Sequence, residues 1–97
     1  MSKQTERIEK MEALLNETRK VTDNFDKALE AYEKIQKKLD RLENYYTGPN
    51  WMKDFEDHEN GKFPKSLKCG VLSEDAVYDL LTDREDLLSR MRKLTED

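Results

Sequence analysis

The chain has 97 residues, of which 41% are charged, and its formal net charge is −4 at pH 7. Only three glycines and two prolines interrupt it, and this composition is typical of long helices or coiled coils. No apolar run approaches the ~18 residues that a membrane span needs, and one cysteine cannot form an internal disulfide, so we expect a soluble cytoplasmic protein.

The first predicted element is one long amphipathic helix over residues 5–46. No glycine or proline occurs between Lys3 and Tyr46, and the apolar residues recur in three heptad series. Together these series form the broad apolar face of a core-facing helix. The alternative is a break at Thr22–Asn24, whose residues have poor helix propensity, with Asp23 capping a second, shorter helix.

A short second helix is predicted over residues 49–60. Gly48 suits the end of one helix, and Pro49 suits the first turn of the next. Asn60 and Gly61 stop this helix, and a connector is expected over residues 61–72.

The third predicted helix spans residues 74–95. Ser73 is the expected N-cap, and Glu74 and Asp75 place negative charge at the positive end of the helix dipole. Leu72 and Val77 have the spacing of a hydrophobic staple. We expect an all-α protein of one domain, residues 1–97, whose three helices pack as a helical bundle or coiled coil.

Residues 54–59 contain the only cluster that invites a catalytic or metal-binding interpretation. Asp54 and His58 would share one helix face, but zinc needs three or four ligands, usually including more His or Cys. An EF-hand loop aligned on Gly61 would place Leu67 at its acidic twelfth position. No nucleophile–base set or Gly-rich phosphate loop is present. We therefore expect no catalytic residue, no metal, no cofactor and no enzyme activity.

The length of the first helix predicts an uncovered apolar face. About 42 residues span roughly 63 Å, whereas about 22 residues of the third helix span about 33 Å. The apolar face of the N-terminal half of the first helix would therefore stay exposed to solvent in a monomer. An antiparallel homodimer or a partner helix is expected to cover it. The candidate contact residues on this face are Ile8, Met11, Leu14 and Leu15.

The negative charge lies in the second half of the chain, because residues 47–97 carry eight basic and twelve acidic side chains. No basic stripe exists to follow a phosphate backbone, which argues against direct nucleic-acid binding. The acidic side chains of this half form either a solvated face or a docking surface for a basic protein partner. The candidate acidic contacts are Asp54, Asp57, Asp79, Asp83 and Asp86.

Three runs of the sequence together resemble an uncharacterised family of small bacterial helical proteins. They are YY at 45–46, WMKDFE at 51–56 and GKFPKSLKCGVLSEDAVYDLL at 61–81. The family pattern they match includes W-M-x-D-[FY]-E and L-K-x-G-V-L-S-E-D-A-[VI]-[YW]-[DN]-L-L. The resemblance implies a helical architecture and a bacterial or phage origin, and it implies no catalytic residues.

These features predict a non-enzymatic protein–protein interaction module, an adaptor or inhibitor of unknown partner. Two alternatives stay open. The acidic side chains could imitate nucleic acid and block a nucleic-acid-binding enzyme, as some phage-encoded inhibitors of host defence do. The chain could also be a purely structural, self-assembling coiled coil.

Overall fold

The computed structural model describes residues 2–96, which form three α-helices and one 3₁₀ turn. Helix α1 is Lys3–Tyr46, α2 is Pro49–Glu59, the 3₁₀ turn is Gly70–Leu72, and α3 is Ala76–Leu94. No strand occurs among these described residues. The all-α class and the order of a long, a short and a C-terminal helix are confirmed.

Helix α1 runs without a break through Thr22–Asn24, where the sequence left a shorter helix open as an alternative. It begins two residues before the expected position because Ser2 caps it. The Ser2 hydroxyl accepts a hydrogen bond from the Thr5 backbone N–H at 3.2 Å, and the Thr5 hydroxyl donates to the Ser2 carbonyl at 2.8 Å. A cap of this kind satisfies N–H groups that lack a partner inside the helix.

Helix α2 has a sequence-encoded start and stop. Gly48 precedes it in an extended conformation and Pro49 is its first residue. At its end, Gly61 takes a positive φ of 69°, while Gly61 N–H donates to the His58 carbonyl and Lys62 N–H to the Asp57 carbonyl, both at 3.0 Å. This pair of bonds is the Schellman arrangement, in which glycine is favoured because other residues resist a positive φ.

Helix α3 begins at Ala76, two residues after the expected start, because residues 74 and 75 form a turn. Ser73 is nevertheless the residue that caps it. Its hydroxyl oxygen accepts a hydrogen bond from the Ala76 N–H at 3.1 Å. Leu72 and Val77, on either side of this cap, are both buried, as a hydrophobic staple requires.

Contacts divide the chain into two units, residues 1–37 and 38–97. In the first unit, the described residues from Lys3 onward belong to α1, and none of residues 2–37 is buried. The second unit contains the core. Its buried side chains are Leu39, Trp51, Leu72 and Val77, and its 3₁₀ turn packs against both α2 and α3.

We expect Gly48→Ala to destabilise the second unit by roughly 1–3 kcal/mol, because the new methyl group meets a backbone atom that cannot move aside. A Cβ at Gly48 would lie 2.9 Å from the Asn44 carbonyl oxygen, whereas a Cβ at Gly70 would meet nothing within 4 Å. Gly70→Ala is therefore the matched control. Urea unfolding followed by circular dichroism measures both, and equal midpoints for the two variants would contradict the close approach.

Candidate interaction surfaces

Trp51 is the centre of the junction between α2 and the segment that leads to α3. Its indole N–H donates a hydrogen bond to the Val71 carbonyl at 2.9 Å. The ring of Phe55 stacks on it, with centroids 5.2 Å apart and planes at 13°, and Tyr46 meets it edge-on at 5.2 Å. Such stacked and edge-to-face pairs are the arrangements that aromatic quadrupoles favour. The junction is therefore an aromatic cluster in which the indole N–H of Trp51 has a hydrogen-bond acceptor, and Trp51 is buried.

A second hydrogen bond joins the end of α1 to α2. The Tyr45 hydroxyl donates to the Asp54 carboxylate at 2.7 Å. The pKa of Tyr45 is raised to about 12. Partial burial of the phenol is the largest cause, and the hydrogen bond to Asp54 and the negative charge of that carboxylate raise the pKa further. Burial and a neighbouring anion both penalise the phenolate. Tyr45 is thus a hydrogen-bond donor at physiological pH.

A cleft of ≈ 350 Å³ opens beside this pair in the second unit. Its wall combines apolar side chains of the connector with the Tyr45–Asp54 pair, Lys68 and Cys69. The Cys69 thiol lies 3.6 Å from the Leu67 carbonyl, to which it can donate a weak hydrogen bond. The volume is at the lower end for small-molecule pockets. The full lining is Tyr45, Asp54, Phe63, Leu67, Lys68, Cys69, Val71 and Leu72.

The acidic candidates fall into two groups. Asp54 and Asp57 are only partly exposed and already have partners, since Asp54 accepts from Tyr45 and Asp57 pairs with Lys53 at 3.6 Å and Lys62 at 3.3 Å. The other three lie on α3 at i, i+4 and i+7, which places them on one helix face. These three, Asp79, Asp83 and Asp86, are exposed.

The apolar candidates on α1 are all solvent-exposed. Every side chain from Ser2 to Ala28 is exposed, including six large apolar residues that lie on one side of the helix at spacings of three, four and seven. Their exposed fractions range from 44% to 62%. We call this set the α1 stripe: Ile8, Met11, Leu14, Leu15, Val21 and Phe25.

The cluster at residues 54–59 does not assemble a site. His58 is exposed, and Asp54 is engaged with Tyr45. Among the described residues 2–96, no three side chains of His, Cys, Asp or Glu converge as metal ligands would. Within that same part of the chain, no helix combines the length and the apolar character of a membrane span.

Two contacts of this region were not predicted from the sequence, namely the bond from Trp51 to Val71 and the bond from Tyr45 to Asp54. The partners are 20 and nine residues apart, so helical periodicity does not pair them. The available signal was chemical. A tryptophan in an apolar face must place its indole N–H on an acceptor when it is buried.

The chain belongs to a family described as a domain of unknown function, DUF4298, whose model matches residues 8–94. This match covers the α1 stripe, the junction and all of α3, and it confirms the resemblance to an uncharacterised family. Comparisons with curated proteins and with solved structures give no match.

We expect Trp51→Phe to lower the free energy of unfolding by roughly 1–3 kcal/mol, because it leaves the Val71 carbonyl without its donor and removes buried ring area. Met52→Ala, at the neighbouring exposed position, should change stability by no more than about 0.5 kcal/mol. Urea titration followed by circular dichroism compares them. Similar small effects would show that the indole bond contributes little.

Alkaline titration should show that one tyrosine ionises near pH 12, later than an unfolded tyrosine, whose pKa is about 10. The folded pKa is the higher one. Tyr45 therefore stabilises the fold fully below about pH 10, and this contribution is lost as pH rises from about 10 to 12. Absorbance at 295 nm follows the ionisation. Tyr45→Phe should abolish the late phase, and Asp54→Asn should shift it to lower pH; a late phase unchanged in Asp54→Asn would contradict the role of the carboxylate.

Proposed function

We propose that the protein is a non-enzymatic protein–protein interaction module, an adaptor or inhibitor that binds a protein partner through the α1 stripe. The observation that carries this proposal is the exposure of all six stripe residues, at 44–62% each. Scattered exposed apolar residues are ordinary, but a contiguous apolar surface on one helix side marks an interaction site.

The energy available from the stripe supports a docking role. Complete burial of a large apolar side chain contributes about 1.5–3 kcal/mol, and these six are about half exposed, so covering them would gain roughly 5–9 kcal/mol before association costs. An amphipathic helix laid against an apolar groove or another helix is a common mode of recognition. A monomer leaves this gain unrealised.

The non-enzymatic part of the proposal is supported by the state of the reactive side chains. His58, the sole histidine, is exposed on α2 and therefore lacks the enclosed setting that tunes catalytic groups. The Cys69 thiol lies 3.6 Å from the Leu67 carbonyl, to which it can donate a weak hydrogen bond. One cysteine and a charge-rich sequence are in keeping with a cytoplasmic protein.

A nucleic-acid mimic is the second candidate, because Asp79, Asp83 and Asp86 share an exposed face of α3. Two findings argue against a nucleic-acid mimic. Asp54 and Asp57 are engaged with internal partners, and the net charge is only −4. A mimic needs a strong field of one sign to compete for a basic groove.

Affinity purification from the native cell, with three variants beside the wild type, tests the proposed function. Leu15→Asp places a charge in the stripe, and Ala13→Asp places the same charge on the opposite side of the helix. The third variant changes Asp79, Asp83 and Asp86 together to Lys. We expect the wild type and Ala13→Asp to retain a bound protein through about 1 M salt, since apolar contacts are not screened, and Leu15→Asp to lose it.

The acidic face of α3 is the alternative binding surface that the experiment tests. Loss of the bound protein in the lysine variant, together with release by moderate salt, would assign the interaction to α3 and favour the mimic. If Leu15→Asp and the lysine variant both keep the same bound protein as the wild type, neither surface is the working one and the proposed function is wrong.

A further inference from the structure

We infer that the α1 stripe is covered by the stripe of a second copy of this chain, in an antiparallel pair centred near Asn16. The inference rests on the proposed function, in which the stripe is the docking surface, and it names the occupant. Most soluble homo-oligomers are closed dimers with a two-fold axis, in which one surface meets its own copy. The surface must therefore be complementary to itself.

The apolar residues satisfy this requirement. The stripe runs from Ile8 to Phe25, so its midpoint lies between Asn16 and Glu17. An antiparallel copy about this region overlaps the whole stripe and leaves neither end uncovered. With the two-fold axis at residue 16, Leu15 lies one residue from the axis and close to Leu15 of the second copy, and Met11 lies opposite Val21 of that copy.

One edge of the stripe also carries charges that are complementary to themselves. On this edge Glu12 is followed seven residues later by Arg19. An antiparallel copy centred near residue 16 reverses this order, so Glu12 of each helix lies near Arg19 of the other. Residues 2–37 as a whole carry eight basic and eight acidic side chains, and two such segments do not repel each other by net charge.

The Thr18 hydroxyl, in the middle of the stripe, has an acceptor within its own helix. Its Oγ1 donates to the Leu14 carbonyl at 2.7 Å. A covering helix therefore does not leave this hydroxyl buried without a partner, which would oppose association. The Thr18 methyl group can then join the apolar contact.

The distribution of charge selects the antiparallel orientation over the parallel one. All of the net charge of −4 lies in residues 38–97, which carry ten basic and fourteen acidic side chains. In a parallel pair the two acidic segments leave the stripe at the same end, and like charges at that end repel. An antiparallel pair separates them by the length of the stripe.

Sedimentation equilibrium of the purified full chain tests the pairing. The expected mass is 23.2 kDa, twice the 11.6 kDa of one chain, with a monomer appearing on dilution. Leu15→Asp should weaken the dimer at least about a hundredfold, and Ala13→Asp should leave it unchanged. Trp51 fluorescence reports the second unit and verifies that each variant is folded there.

Spin labels report the orientation in a Cys69→Ser background, with Asn16→Cys or Glu30→Cys as the labelled positions. An antiparallel pair centred near residue 16 separates the two labels at position 30 by roughly 42 Å along the axis, from 1.5 Å per residue, and keeps those at position 16 within roughly 30 Å. Short distances at both positions mean a parallel pair and overturn the inference.

Two other results also overturn it: an 11.6 kDa species at all concentrations up to about 100 μM, or a dimer that Leu15→Asp does not weaken. Neither result decides the proposed function. If the affinity purification shows a different protein that binds the wild type and not Leu15→Asp, that protein occupies the stripe. If that purification also shows no dependence on Leu15, both statements fail.

Discussion

The hydrogen bond from the Trp51 indole to the Val71 carbonyl is the constraint on which the rest of the second unit depends. It connects α2 to the 3₁₀ turn across 20 residues, and the turn in turn packs against α3. A buried indole N–H without an acceptor would cost about 1–3 kcal/mol, so the connector cannot slide along α2 without loss. Fixing Val71 also fixes Leu72, which is buried next to it in sequence, and thereby the point at which the chain enters α3.

The bond between Tyr45 and Asp54 changes how the acidity of the chain should be understood. Asp54 and Asp57 lie in the most acidic stretch of the sequence, yet one accepts a hydrogen bond from a tyrosine and the other pairs with two lysines. The Tyr45–Asp54 pair also lines one side of the cleft. The acidic cluster is therefore partly structural, and the exposed acids of α3 are a separate set. Net charge alone does not distinguish the two roles, whereas the hydrogen-bond partners do.

Local chemistry explains which features could be predicted from the sequence. The absence of glycine and proline predicted α1, Gly61 predicted the end of α2, and Ser73 was predicted as the cap of α3. These three features could be predicted because each depends only on neighbours within a few residues. Helical periodicity does not indicate that Met52 is exposed while Trp51, its neighbour in the sequence, is buried. That difference depends on the path of the connector, and periodicity carries no information about a segment without regular structure.

The exposed stripe also bears on the order of α1 itself. An isolated helix gains little stability from its backbone, and most of the stability of protein helices comes from packing an amphipathic face. Residues 2–37 have no buried side chain. In an isolated chain, the Ser2 cap and side-chain pairs such as Lys34 with Glu30 at 3.4 Å therefore add only small local contributions to the stability of this segment. A cover on the stripe would supply the missing packing energy. Association and helix order in this segment are therefore linked, because any partner that buries Leu15 and its neighbours binds the helical state and raises its population.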